Sequence, residues 1–206
     1  MQLYFARHGE STANLLRVFS NRELDHPLTE KGCAQAYELA QKLAPEGISL
    51  LFTSPVPRAR QTAALIGEKL SLLPEINPAL REFDVGEFEG RADDGSWDKF
   101  WQLFDQWLVQ GDLEARIPGG ESYLEIRARF VSFVEELVRR YCQTDTRILL
   151  ISHGGIYRLM LPLVLGNVPQ VYADTHMLGN TEYVRAELTE NGLRALEWAG
   201  QGLPGS

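Results

Sequence analysis

The chain has 206 residues, 44% of them hydrophobic and 23% charged, with a formal net charge of −8. That length gives one domain room for a sizeable core, and the composition excludes a disordered chain. The acidic balance argues against a general binder of nucleic acid or of anionic membranes, and no apolar run approaches the roughly 20 residues that span a bilayer. Met1-Gln2-Leu3 opens without a basic region or a following apolar stretch, so no signal peptide is expected. Cys33 and Cys142 have no metal-ligand spacing. Two unpaired thiols fit a reducing cytoplasm, with a single bridge left open.

In chain order, the apolar run Leu3 to Ala6 reads as a buried strand that delivers Arg7-His8-Gly9-Glu10 into a turn. Ser11 to Leu16 predicts a short helix carrying Asn14, and Arg17 to Pro27 a loop. Thr29 is the expected N-cap of a helix whose buried stripe is Ala36, Leu39, Ala40 and Leu43, ended by Pro45 and Gly47. Ile48 to Thr53 predicts a second strand, running into a helix that starts near Pro57 and places Arg58 at its N-terminus. A weaker strand is expected around residues 75–77.

From Leu80 to Glu121 the texture changes. Arg81 to Gly90 reads as a loop with two glycine bends, followed by Trp97, Phe100, Trp101, Phe104, Trp107 and Leu108 at helical spacing. That stripe is either core or the face of a lid that closes a substrate pocket, and one helix can do both. Pro118 to Ser122 marks a break before a long amphipathic helix reaching Cys142. Arg147 to Ser152 is the cleanest buried strand. It ends in His153-Gly154-Gly155 and enters a helix predicted over 156–165. Glu182 to Leu188 and Leu193 to Trp198 flank Asn191-Gly192 as a hairpin. Strands alternating with helices indicate an α/β sandwich, whose sheet the hairpin makes mixed.

Two strands therefore end in His-Gly, at His8 and His153. In α/β sheets such strand ends bind ligands. With Arg7 and Arg58 nearby they form a candidate anion site, in which His8 is a nucleophile for a phosphoryl group that Arg7 holds. A metal is not expected. His8 and His153 have no evident third ligand, and cations beside them oppose a divalent ion, so zinc on these histidines and a carboxylate is the minor alternative. His26 and His176 read as bystanders.

The chain resembles the histidine phosphatase, or phosphoglycerate mutase-like, superfamily. The motifs are Arg7-His8-Gly9-Glu10-Ser11 with Asn14, Asp25 to Gly32, Ser54-Pro55 with Arg58-Ala59 and Gln61-Thr62-Ala63, Leu80-Arg81-Glu82, Pro118 to Ser122, and Ser152 to Gly155. They stand in family order over most of the chain. The resemblance implies a three-layer α/β/α sandwich with a mostly parallel central sheet and a helical lid insertion, in a single domain over 1–206 with the lid at about 83–122. It implies that His8 becomes a transient phosphohistidine while Arg7, Arg58 and His153 hold the phosphate oxygens. Asn14 and Gly154 are added as substrate-binding positions. Glu82 is implied as proton donor to the leaving oxygen, its pKa raised by Phe83, Val85 and Phe88, with Asp84 and Glu87 as competitors for the role.

Within that family a phosphatase is expected rather than a mutase. Between residues 82 and 125 acids outnumber bases by twelve to three, and Phe19-Ser20-Asn21 stands where the family often has Gln-Gly. The expected function is hydrolysis of a small-molecule phosphomonoester in the cytoplasm, without cofactor, nucleic acid or membrane, and a homodimer is left open. The alternatives are a cofactor-dependent phosphoglycerate mutase and a non-catalytic phosphate-binding module. An apolar or ring-bearing leaving group, as in an α-ribazole-phosphate-type activity, and broad specificity both fit the aromatic segment.

Overall fold

The protein is described over residues 1–22 and 24–203 by a computed structural model. The apolar runs form the middle of one sheet: β1 (Gln2–Arg7), β2 (Leu50–Thr53), β3 (Glu75–Ile76) and β4 (Arg147–Ser152). The tail adds β5 (Tyr183–Thr189), β6 (Gly192–Trp198) and β7 (Gln201–Gly202). The order is β3-β2-β4-β1-β5-β6-β7. Its first four strands are mutually parallel, whereas β5 to β7 run antiparallel, so the sheet is parallel only in one half. The hairpin that the sequence predicts is the source of the mixed character.

Alternation along the strands divides the core into two layers. Leu3, Phe5, Phe52, Ile148 and Leu150 face one side. There they pack on α5 (Tyr123–Tyr141), α6 (Gly154–Val164) and, beyond them, α4 (Asp94–Asp105). Tyr4, Ala6, Leu51, Leu149 and Ile151 face the other side, against α2 (Glu30–Leu43) and α3 (Pro57–Leu70). The remaining helices are α1 (Thr12–Leu16) and α7 (Gln170–Thr175).

Local chemistry sets the helix starts. The Thr29 hydroxyl accepts from Gly32 N at 2.9 Å, and Pro57 occupies the first turn of α3. Ser122 and Glu125 form a capping box at α5. α6 begins at Gly154, two residues earlier than predicted, so His153 is its N-cap and sits where strand becomes helix. The two bends foreseen in the 81–90 loop are Gly86 and Gly90, with φ of +53° and +80°. α4 continues into a wider π turn at Gln106–Gln110, which ends at Gly111. The six-residue α7 has no counterpart in the sequence reading, and His176 caps its end with its ring stacked 4.1 Å from that of Tyr172. No described helix is long and apolar enough to cross a membrane.

Candidate active site

Sheet register brings the two histidines together. Arg7 pairs with Ser152 across β1 and β4, and His8 N donates to Ser152 O at 3.0 Å. The residues that leave the two strands are then side by side, with the His8 and His153 rings 5.1 Å apart. α3 closes the third side, because Gly9 N donates to Thr62 Oγ1 at 3.1 Å, one turn beyond Arg58. A side chain at Gly9 would strike Gly32 O at 2.5 Å, so this turn requires glycine where α2 packs on it.

The hydrogen bonds fix the state of His8. Its Nδ1 lies 2.7 Å from Gly9 O, a carbonyl that can only accept, so Nδ1 carries the proton. Nε2 accordingly holds the lone pair, and it accepts from Arg58 Nε at 2.9 Å. Burial, then Arg58 and Arg7, push the His8 pKa well below its ordinary value. The ring is therefore neutral and nucleophilic at neutral pH.

Arg58 is the hub. Its Nη2 meets His153 Nδ1 at 3.2 Å, and its Nη1 donates to Ser20 O. Burial lowers its pKa to about 10, which still leaves it charged at neutral pH. His153 is also held neutral by burial and Arg58, and its Nε2 lies 2.7 Å from Ser54 Oγ. Arg7 donates from Nη1 to Leu178 O at 2.8 Å, while its buried Nε has no partner among the described residues. An unpaired buried guanidinium N–H is costly, and an acceptor oxygen beside it would satisfy it.

Glu82 stands at the N-terminus of α6. Its carboxylate accepts from Phe83 N at 3.1 Å and from Gly155 N at 3.0 Å. It is 8% exposed, and burial raises its pKa despite these hydrogen bonds and the nearby Arg58. Gly155 leaves the necessary room, since a Cβ there would lie 2.9 Å from Glu82 Oε2 and from Phe83 Cε1. The backbone N–H of Gly155, in the first turn of α6, thus serves Glu82. The competing carboxylates face elsewhere: Asp84 pairs with Arg22 at 3.0 Å and accepts from Gly86 N, and Glu87 is exposed.

These side chains open onto one cavity of about 310 Å³ that includes Arg7, His8, Asn14, Arg58, Glu82 and Gly154 in its wall. His153 lies behind Arg58, 1% exposed. Asn14 uses its Oδ1 to accept from Ser11 N at 3.0 Å, which leaves its amide NH₂ for a ligand. Gly154 carries no side chain into the space beside Arg7, whose Nε lies 3.3 Å from where its Cβ would be. Among the described residues, no group of three or more His, Cys, Asp or Glu could hold a metal ion. Cys33 and Cys142 are both free, and His26 does no more here than meet Ser20 Oγ at 2.9 Å.

The outer wall is aromatic. Trp107 is buried in the core, whereas Trp101 is 45% exposed and lines the cavity with Trp97, Phe100 and Phe104. The stripe thus serves as core on one flank and as pocket wall on the other. Phe19 stacks on Trp97 at 4.1 Å, so the departure at Phe19-Ser20-Asn21 supplies a ring to this wall and a carbonyl to Arg58. Sequence reasoning missed Arg158, Met177 and Leu178 in the wall, and Asn180, whose Nδ2 donates to His8 O at 3.1 Å. Arg158 falls one helical turn after Gly154, and that spacing is the signal that could have found it.

Comparison with known proteins agrees with this architecture. The family described as "Histidine phosphatase superfamily (branch 1)" matches residues 3–201. A Yersinia pestis (strain Pestoides F) protein named "Probable phosphoglycerate mutase GpmB" is 32% identical over 198 residues, covering 96% of this chain and 90% of its own. The solved α-ribazole phosphatase from Shigella flexneri matches with a TM-score of 0.78 at 23% identity, over 100% of both chains. A mycobacterial glucosyl-3-phosphoglycerate phosphatase complexed with VO3 matches with a TM-score of 0.77 at 23% identity, over 97% of this chain and 99% of its own. At that identity the likeness to the solved structures is one of fold.

Proposed function

Because the chain belongs to the histidine phosphatase superfamily, we propose that it is a metal-independent phosphomonoesterase acting through a phosphohistidine on His8. The observation that carries this reading is the pair of contacts on the His8 ring. Nδ1 is tied to Gly9 O, and Nε2, with its lone pair, faces Arg58 in a cavity shared with buried Glu82.

A phosphate ester entering the cavity would draw Arg58 Nε from His8 to an oxygen of the ester, and would give the unpaired Arg7 Nε its acceptor. His153 and the Asn14 amide would complete the oxygen contacts. In the first step the Nε2–P bond forms as the bond from phosphorus to the leaving oxygen breaks. Protonated Glu82 gives its proton to that oxygen. In the second step Glu82, now a carboxylate, takes a proton from water, whose oxygen attacks phosphorus. The N–P bond then breaks, and inorganic phosphate and neutral His8 are restored. Burial of Glu82 supports the acid role, since it favours the protonated form.

The proposed setting is a single domain in the cytoplasm, with residues 83–122 as the cover over a small-molecule ester. Two free cysteines support a reducing environment. Purified protein and 4-nitrophenyl phosphate test the activity: wild type should turn over, and His8→Ala should lose at least about a thousandfold. Equal rates would remove His8 as nucleophile. The mutase reading is favoured by the name of the Yersinia pestis relative. Interconversion of 2- and 3-phosphoglycerate, primed with bisphosphoglycerate and faster than hydrolysis, would replace the phosphatase with it.

A further inference from the structure

Arg158 is held in a way that the proposed phosphoryl chemistry does not use. It lies four residues beyond Gly154 on α6, about 6 Å along the helix and on the same face. Gly154 itself adjoins Arg7 Nε. Arg158 Nε donates to Asp174 Oδ1 at 2.7 Å, and Gln170 Nε2 steadies the same oxygen at 3.1 Å. The guanidinium carbon sits 4.7 Å from the Phe104 ring centroid and 5.6 Å from that of Trp101. Neither Nη has a hydrogen-bond partner among the described residues, and Arg158 lines the cavity. One edge of the fork is clamped by a carboxylate and two rings lie against the guanidinium, which leaves a preorganised pair of donors.

Charge balance narrows what those donors receive. Asp174 already neutralises Arg158, while Arg7 and Arg58 are matched by the dianionic phosphate. Among the described residues that line the cavity, no further cation remains for a second anionic group. The wall beside Arg158 is Trp101, 45% exposed, and Met177, 60% exposed, so ring surface and a pliable thioether border the opening.

We propose that Arg158 and Trp101 form the leaving-group subsite, which selects phosphate esters of a flat, uncharged ring bearing an acceptor oxygen or nitrogen. The ring stacks on Trp101 and its acceptor takes a hydrogen bond from Arg158 Nη. This specificity rests on the phosphatase reading.

The test compares kcat/KM for phenyl phosphate, 4-carbamoylphenyl phosphate and 4-carboxyphenyl phosphate in wild type, Arg158→Met and Arg158→Lys. Ratios between esters do not depend on the fraction of enzyme that folds. Arg158→Met should lower the carbamoyl-to-phenyl ratio about tenfold, and Arg158→Lys by less, as loss of a hydrogen bond to a charged donor requires. The carboxylate ester should be the poorer substrate for wild type relative to the carbamoyl ester. An unchanged ratio in Arg158→Met overturns the proposal, and so does a wild-type preference for the carboxylate ester. If no ester is hydrolysed, the activity reading fails on its own. The subsite is then judged by calorimetric binding of 4-hydroxybenzamide, which Arg158→Met should weaken about tenfold. Equal affinity in the two proteins would overturn it.

Discussion

Arg58 Nε donates to His8 Nε2 at 2.9 Å while Nη2 of the same guanidinium meets His153 Nδ1 at 3.2 Å. One cation thus adds to burial in keeping two imidazoles neutral, and occupies the place that a phosphoryl group would take. Arg58→Met should remove both effects. It should lower kcat/KM about 10²- to 10³-fold, the usual loss for one oxyanion donor. Arg58 is the second cause, after burial, of the low His8 pKa. Burial remains, so the His8 pKa of the variant should rise only part of the way, and its acid limb should lie at higher pH than that of wild type. A pH profile of kcat/KM that keeps the wild-type acid side would contradict this.

Glu82 carries the opposite shift. Its pKa is raised by burial, and the first step needs its protonated form. Activity is thus present below the raised pKa and lost as pH rises through it. Glu82→Gln should abolish that alkaline limb and cost about 10²- to 10⁴-fold with phenyl phosphate. With 2,4-dinitrophenyl phosphate, whose leaving group needs no proton, the cost in kcat/KM, which reports formation of the phosphoenzyme, should shrink to a small factor. A loss of equal size on both esters would show that Glu82 is not the acid.

Gly155 should behave as a positioning residue for that acid. A Cβ at this position would lie 2.9 Å from Glu82 Oε2. Alanine is the better helix former, but its Cβ would also meet buried Phe83 Cε1 at 2.9 Å, so Gly155→Ala should lower Tm moderately. Its loss of rate should grow with the pKa of the leaving alcohol, reaching about 10²-fold for the poorest, as a displacement near 1 Å costs. Uniform loss across leaving groups would assign Gly155 a role in packing alone.

Glu121 explains the segment from Pro118 to Ser122. Its carboxylate receives Arg129 Nε at 2.8 Å and Asp84 N at 2.8 Å, and Arg129 Nη1 donates to the Ala79 and Arg81 carbonyls, each at 2.8 Å. The pair braces the loop that carries Glu82 on both sides. Glu121→Ala leaves a largely buried guanidinium without its partner, which should destabilise the fold by on the order of 3 kcal/mol. Urea denaturation measures it, and a change below about 1 kcal/mol would place the pair among ordinary surface bridges.

The meeting of His8, Arg58 and His153 was legible in the chain because it depends on local rules. Apolar runs ending in His-Gly marked the strand ends at His8 and His153, and Pro57 set Arg58 at a helix start. What the sequence could not supply is contact across long separations. Asn180 reaches His8 O and Leu178 O reaches Arg7 with no local signature. α7 spans only six residues, too few for periodicity to register. The aromatic stripe was read as core, pocket or both, because helical spacing gives a face and not what borders it. Only the packing separates buried Trp107 from Trp101 at the cavity wall.

The central claim is that His8 Nε2 takes the phosphoryl group. Enzyme mixed with ³²P-labelled phenyl phosphate, quenched within one turnover in alkaline denaturant, tests it most directly. The account predicts alkali-stable, acid-labile label on the peptide that contains residue 8, absent from His8→Asn and enriched in Glu82→Gln when a good leaving group loads the enzyme. Label on another residue, or turnover of the ester with no labelled protein at any time, would contradict it.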